Sequence, residues 1–517
     1  MLTGQASTLP ETNSPIGFLL VLAIALPAGG VALSLLLGGR GAQRLAMATM
    51  PLGVAVALVV AGNIWRSGRS LTYLVGGWHP PLGIALRADG LSAVMLLTTA
   101  VVIGAVCLYA RGSFGLPAGA DERRAPLVFW IMLMGVWSGL NAVWLAGDLF
   151  SLYVALELLT FSAVPLVSLD GSAATLEAAL RYLLFALIGS VLYLLGTALL
   201  YGGYGTLDLV LLSHVIKPEP TAFIAASLMT AGLLAKTALF PLHLWLPPAH
   251  AGAPAGGSAL LSALVVKGSF ILTVRLWFEA MPSLLHLGTS QLLGALGAAA
   301  VLFGSVLALR QARLKLMIAY STIAQIGYLF FLFPLASAPA EATSMFGDDW
   351  NGIAWTGGMM QLVAHATAKA AMFMAAGLIA EALGHDRIAE FAGLGRALPV
   401  TMLAFGLGGM SLMGLPPSGG FVAKAMLLVA AMAEGQWWWA VVILVGGLLA
   451  AGYMFRVFAP ALAAVDVTMR RRVVVPQSRQ AVVLALAICA MLLGLMPLRP
   501  SQLLEVGRPA SVTALTR

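Results

Sequence analysis

Roughly 14 runs of about 18 or more predominantly apolar residues follow one another along this chain, each long enough to cross a bilayer's hydrocarbon core. Their extents are about 16–38, 45–65, 90–110, 126–146, 148–168, 178–201, 221–245, 257–279, 289–309, 315–335, 353–382, 398–433, 437–461 and 480–498. In lipid every backbone polar group must be bonded within the segment, so runs of this length are helices. The expected fold is therefore an all-α polytopic membrane protein. Only 9% of the 517 residues are charged and 60% are hydrophobic, whereas soluble domains carry about 25% charged residues.

The formal net charge of +8 would also suit a nucleic-acid binder. However, the basic residues gather in the short connections between runs, so nucleic acid is not an expected partner and the lipid bilayer is. Arg40 and Arg44, then Arg111, Arg123 and Arg124, then Arg310, Arg313 and Lys315, then Arg470, Arg471, Arg472 and Arg479 occupy odd-numbered connections. Glu341, Asp348 and Asp349 occupy an even one. The positive-inside rule places odd connections in the cytoplasm and both termini outside a bacterial-type inner (cell) membrane. Arg66, Arg69 and Arg87 argue the other way. The first 15 residues hold no Lys or Arg, so the first run reads as a retained helix rather than a signal peptide.

Cys107 and Cys489 lie far apart in different runs, which excludes a sequence-local metal or iron–sulfur site. No glycine-rich dinucleotide fingerprint or phosphate loop is present, so no cofactor is expected on this chain. Any redox chemistry would belong to another subunit.

Against this apolar background some residues are misplaced. Lys236 lies within AFIAASLMTAGLLAKTALFPLHLW, where an ammonium costs about 2.5–3.5 kcal/mol on insertion scales. Glu157, Lys267, His365, Lys369 and Lys424 are similar misfits in other runs. Intramembrane ionisable groups spread over several helices point to a path for protons or small cations. Two runs are also interrupted, the seventh by Pro241, Pro247 and Pro248 and the twelfth by Gly414, Pro416, Pro417, Gly419 and Gly420. Membranes tolerate such breaks where protein or water satisfies the freed backbone groups. Breaks at matching places in two antiparallel halves indicate inverted repeats around a midplane site. The expected organisation is N-terminal helices 1–3 in 1–125, a first five-helix repeat in 126–280 and a second in 281–461. A loop, a last helix and a tail follow in 462–517.

Glu157 is read as the counter-charge of Lys236, with an assembly ion pair as the alternative. Burial lets a lysine give up its proton while arginine stays charged, so Lys236 and Lys267 suit a relay. For Lys267, snorkelling to the interface is the competing reading. Gln361, His365 and Lys369 recur at i, i+4 and i+8 and share a helix face, where His365 suits a proton wire. No Cys, Asp or second His shares that face, so a metal site is not expected. His243 and His250 flank LWLPPA and either line a proton-access route or cap the interface. Glu177 and Arg181, at i and i+4, read as a structural pair. Trp437, Trp438 and Trp439 read as an interfacial belt.

The stretches GDLFSLYVALELL, KTALFPLHLWLPPAHAGAP, QLVAHATAKAAMFMAAGLI and GLPPSGGFVAK together resemble the antiporter-like membrane subunits of respiratory complex I. They are equally similar to the D-type subunit of multisubunit cation/proton (Mrp) antiporters and to the corresponding subunits of membrane-bound hydrogenases. The resemblance spans about residues 90–460 with every landmark in order. It implies 14 helices with two inverted five-helix repeats and broken helices 7 and 12. It also implies that Glu157 and Lys236 form an ion pair whose opening drives a proton along Lys267, His365 and Lys369 to Lys424. Two departures stand out. Gln361 replaces a frequent histidine, and Pro248 replaces the usual acidic residue of that segment. Without the long lateral helix of the complex I L-type subunit, an M-, N- or D-type role fits better.

The resulting expectation is a proton-translocating subunit of a larger complex, either a redox-driven pump or a cation/proton antiporter, with other membrane subunits as partners. Its ion is H+, and whether Na+ is carried as well stays open. Any enzymatic role would be that of a translocase subunit within an NADH:quinone oxidoreductase-like, hydrogenase-like or Mrp complex. Alternatives are a stand-alone secondary solute transporter, a proton-coupled subunit of inorganic-carbon uptake, and a purely structural scaffold.

Overall fold

The computed structural model describes residues 12–115, 124–337, 349–463, 473–495 and 499–509. The residues before 12, together with Arg123, Glu341, Asp348, Arg470, Arg471 and Arg472, lie outside the described residues.

The first two runs are helical, with no loop between them. They form α1 (Phe18–Ser67), two helical stretches that meet at a kink at Gly38, the one residue inside with non-helical geometry (φ 72°, ψ −175°). A single glycine in a conformation closed to other residues is enough to redirect the chain. Arg40 and Arg44 are therefore helical. The stretch after α1 holds a feature the apolar pattern does not reveal, a hairpin of β1 (Leu71–Leu74) and β2 (Ala85–Ala88), antiparallel with Leu71 opposite Ala88.

The bundle continues with α2 (Gly90–Phe114), α3 (Arg124–Leu145), α4 (Leu149–Val167), α5 (Ala173–Tyr204) and a short α6 (Leu209–Val215). The seventh run splits into α7 (Pro220–Thr237) and α8 (Leu246–Gly252). α9 (Ala255–Ala280) carries two π-helical turns, Leu261–Val265 and Leu276–Ala280. Next come α10 (Leu287–Arg310), α11 (Leu314–Ala336) and α12 (Trp350–Leu383). The twelfth run splits into α13 (Pro399–Met413) and α14 (Gly419–Ala433), followed by α15 (Trp437–Leu462), α16 (Gln477–Leu495) and α17 (Arg499–Glu505). Among the described residues, 11 helices are long and apolar enough to cross a membrane. The chain is a multi-pass membrane protein.

Short polar side chains start these helices by accepting from otherwise unbonded first-turn amides. Asp89 accepts from the Ser92 amide, Asp148 from the Ser151 amide and Asp349 from the Gly352 amide, at 2.7, 2.7 and 2.9 Å. These caps lie at one end of the bundle, which is tied together across the chain. The Gly90 amide donates to Val506 O and the Gly147 amide to Ala85 O. Arg87 pairs with Asp208 at 2.8 Å and Arg508 with Asp349 at 2.5 Å. Arg275 pairs with Asp89 at 3.2 Å and with Glu279 at 2.7 Å. The opposite end has its own ties, Arg479 to Glu381 at 2.8 Å and Arg313 to Asp386 at 2.9 Å. Arg87 is thus engaged in folding the hairpin end, and its sidedness signal is weakened accordingly.

Glycines let the helix backbones approach. A Cβ on Gly232 would lie 2.3 Å from Gly189 O, so α5 and α7 meet backbone to backbone. The Glu177–Arg181 pair forms at 3.0 Å on the exposed face of α5. Of the three tryptophans, Trp437 and Trp438 are exposed as a belt requires, but Trp439 is buried. Its indole donates to Gln436 Oε1 and its ring packs against Phe331.

Candidate functional site

α7 ends one residue after Lys236. The next residue, Ala238, takes a left-handed conformation (φ 58°, ψ 37°), which costs a non-glycine residue about 1–2 kcal/mol. The chain then runs non-helically through Pro241 to Trp245, whose indole donates to Ala235 O at 2.9 Å and satisfies a carbonyl freed by the break. Pro247 does not lie in this break. It sits in the first turn of α8, where a missing amide hydrogen costs nothing. Pro416 and Pro417 do lie in the second break, between α13 and α14.

At the first break Lys236 Nζ lies 2.8 Å from Glu157 Oε1 of α4 and donates to Thr160 Oγ1 at 3.1 Å. Ser190 of α5 donates to the same Glu157 oxygen. The lysine side chain is 7% exposed and the carboxylate 15%. A small cavity lined by Thr160, Tyr182, Lys236, Val265 and Ser269 joins the pair to α9. Thr237 Oγ1, next to Lys236, lies 2.9 Å from Ser269 Oγ.

The central lysines rest on neutral oxygens. Lys267 is fully buried, which removes the snorkelling alternative, and its Nζ donates to Ser262 O within the first π-turn of α9. Ser262 Oγ lies 2.9 Å from Thr322 Oγ1 of α11. Lys369, also fully buried, donates to Ile318 O at 2.9 Å and to Ser321 Oγ. His365 is 1% exposed, and neither ring nitrogen has a partner among the described residues. It lies within electrostatic reach of Lys267, Lys369 and Lys424.

At the second break Lys424 Nζ donates to Leu412 O at 2.5 Å and sits 4.2 Å above the Tyr328 ring. Gln361 Nε2 donates to Gln325 Oε1 at 3.0 Å, and Gln325 Nε2 donates to the same Leu412 O at 3.1 Å. Lys236 precedes its break, whereas Lys424 follows its own.

His243 and His250 are placed differently with respect to this series. His243 packs between Phe240 and Phe303, with ring centroids at 5.6 and 5.3 Å. His250 stacks on Phe373 at 4.6 Å and is fully buried, within electrostatic reach of Lys369, Lys315 and Lys267.

Sequence reasoning located every one of these charges but missed the oxygens between them: Thr160, Ser190, Thr237, Ser262, Ser269, Ser321 and Thr322. It also missed Gln325 and Tyr328. One signal was available. Ser321, Gln325 and Tyr328 recur at i, i+4 and i+7, a polar stripe on α11.

Residues 146–450 match the family described as "NADH:quinone oxidoreductase/Mrp antiporter, TM". The chain is 33% identical over 423 residues to the N-type subunit of the NADH-quinone oxidoreductase of Desulforudis audaxviator (strain MP104C), covering 80% of this chain and 79% of that one. It is 28% identical over 421 residues to the D-type subunit of the Na(+)/H(+) antiporter of Bacillus subtilis (strain 168), covering 80% of each. A chain of the membrane-bound sulfane sulfur reductase, an archaeal respiratory membrane complex, superposes with TM-score 0.84 at 27% identity, covering 97% of this chain and 99% of that one.

Proposed function

This chain belongs to the NADH:quinone oxidoreductase/Mrp antiporter membrane family, and we propose that it is the proton-translocating subunit of a multisubunit membrane complex. The observation that carries this reading is a buried series of cationic and titratable side chains. Lys236, Lys267, His365, Lys369 and Lys424 lie on α7, α9, α12 and α14, with a carboxylate, Glu157, at one end. Structural ion pairs would need an acid for each lysine. Among the described ion pairs only Lys236 has one.

Glu157 holds the Lys236 ammonium while the pair is closed. When the pair opens, the desolvated ammonium loses its compensation and passes its proton toward Lys267 through the cavity at Thr160 and Ser269. From there His365 and Lys369 connect to Lys424; the lysines rest on carbonyl or hydroxyl oxygens, whereas both ring nitrogens of His365 are without a partner among the described residues. His243 and His250 are assigned to the access side of this path, together with Gln361 near its far end. Other membrane subunits are its partners, and the relatives named above comprise both oxidoreductase and antiporter subunits. The chain itself is assigned no cofactor.

Reading α1 as two crossings, and α7–α8 and α13–α14 as one each, gives 14 helices with inverted repeats in 126–280 and 281–461. The ends with Arg313 and Arg479 are assigned to the cytoplasm, and both termini to the outer side. A membrane-impermeant thiol reagent should then label Ser70→Cys only from outside.

The direct test is Lys236→Ala in the assembled complex, followed by dye-reported proton flux in vesicles. Flux should vanish while assembly persists. Normal flux in a correctly inserted Lys236→Ala complex would sink the proposal.

A further inference from the structure

The break between α13 and α14 leaves Leu412 O without a helical partner, because the residue four positions on is Pro416, which has no amide hydrogen. Two side chains fill the place, Lys424 Nζ at 2.5 Å and Gln325 Nε2 at 3.1 Å. Gln325 is 1% exposed and is held from behind by Gln361 Nε2, 3.0 Å from its Oε1. Its orientation follows from chemistry, since a carbonyl can only accept and the NH2 group must face Leu412 O. Gln361 Oε1 is left buried with no partner among the described residues, one turn from His365.

Resting on the proton-translocation reading above, we propose that Gln325 is a positioning residue that sets how tightly Lys424 keeps its proton. Gln325 points the positive end of its amide dipole at the oxygen that also carries the ammonium. It therefore shares the lone pairs that hold Lys424 and weakens that hold. Gln361 keeps the amide from turning its oxygen toward the ammonium instead. When Lys424 swings away, Gln325 alone keeps Leu412 O bonded, so the break survives the transfer.

The titratable groups on elements packed against α14 are limited. Tyr328 on α11 faces Lys424, and His365 on α12 lies within electrostatic reach of it; α11 also carries Tyr320 and Lys315, the latter bonded to Ala253 O. Tyr453 on α15 lies beside Gln325 and Ser321. Lys369 is bonded to α11, and Glu381 and Arg479 pair with each other at the far end. The remaining titratable residues of α15 and α16 are Arg456, which is exposed, and Cys489. α13 carries none.

The test is the pH profile of proton flux in vesicles holding the whole complex. Gln325→Glu places a carboxylate against the ammonium, and the profile should move about one pH unit alkaline with a roughly tenfold lower maximum. Gln361→Leu adds no charge but frees the Gln325 amide to turn, and should move the profile the same way by less. Uniformly lower flux with an unmoved profile in both variants, or in Gln361→Leu alone if Gln325→Glu does not assemble, would mean that Gln325 only packs, and would overturn the proposal. Lys236→Ala in the same vesicles separates the two levels. Flux surviving it defeats the translocation reading, whereas flux lost there with an unmoved Gln361→Leu profile defeats only the role of Gln325.

Discussion

Glu157 Oε1 lies 2.8 Å from Lys236 Nζ, joining α4 to the last turn of α7 just before that helix breaks. This contact has two neutral supports, Thr160 on the lysine and Ser190 on the carboxylate. When the pair opens, these hydroxyls can still bond the two groups but do not replace the opposite charge that each has lost.

Glu157→Gln keeps an oxygen for Lys236 and Ser190 but removes the charge. Flux should fall tenfold or more in vesicles while the assembled complex persists on a native gel. Lys236→Arg retains the pair but cannot release a proton, so flux should be lost there too.

Gly232→Val should act on packing instead. Its Cβ would meet Gly189 O at 2.3 Å, and overpacking of this kind costs about 1–3 kcal/mol. The expected result is a lower melting temperature of the solubilised complex, together with lost flux, because α5 and α7 position Ser190 and Lys236.

Arg275 binds Asp89, Glu279 and Ser92 at the hairpin end. Arg275→Leu leaves two carboxylates facing each other, and breaking a buried pair costs about 3–5 kcal/mol. Thermal melting of the solubilised complex should show the loss.

Glu434, the residue after α14, has its carboxyl pushed up to about 8 by burial, with the Gln436 hydrogen bond acting in the opposite direction. A folded value above the unfolded one favours the folded state most when the group is protonated. That stability is fully present below about 4.5 and is lost as pH rises through about 8. Melting temperature should therefore fall between pH 5 and 9, less steeply in Glu434→Gln. Equal slopes would remove the assignment.

The charges and the breaks were legible because each is a local anomaly. A lysine in an apolar run and paired prolines in a helix carry a cost that is visible without knowing any neighbour. Helix extents followed for the same reason, since run length against bilayer thickness is a property of one segment. The two apolar runs of α1 were legible, but not that a single residue, Gly38, joins them at a kink in place of a loop. The hairpin at 71–88 was missed because short strands in a connection leave no long apolar signature. Pro247 was misplaced because proline in a first turn and proline in a break look alike in sequence.

The partners of the charges are a different matter. Serine and threonine are inexpensive in a membrane helix because they can bond to their own backbone, as Thr160, Ser190 and Thr237 also do here. Their presence therefore marks nothing until the fold brings them beside a lysine. Run length and misplaced charge were enough to establish that this chain spans a membrane and carries buried lysines in interrupted helices, because burying a charge is costly wherever it happens. Glu157 was already the expected counter-charge of Lys236, but helix packing alone settled that the two lie 2.8 Å apart and that Lys424 shares one carbonyl with Gln325. A hydrogen bond reaches only about 3 Å, and residues far apart in the chain come that close only once the helices pack.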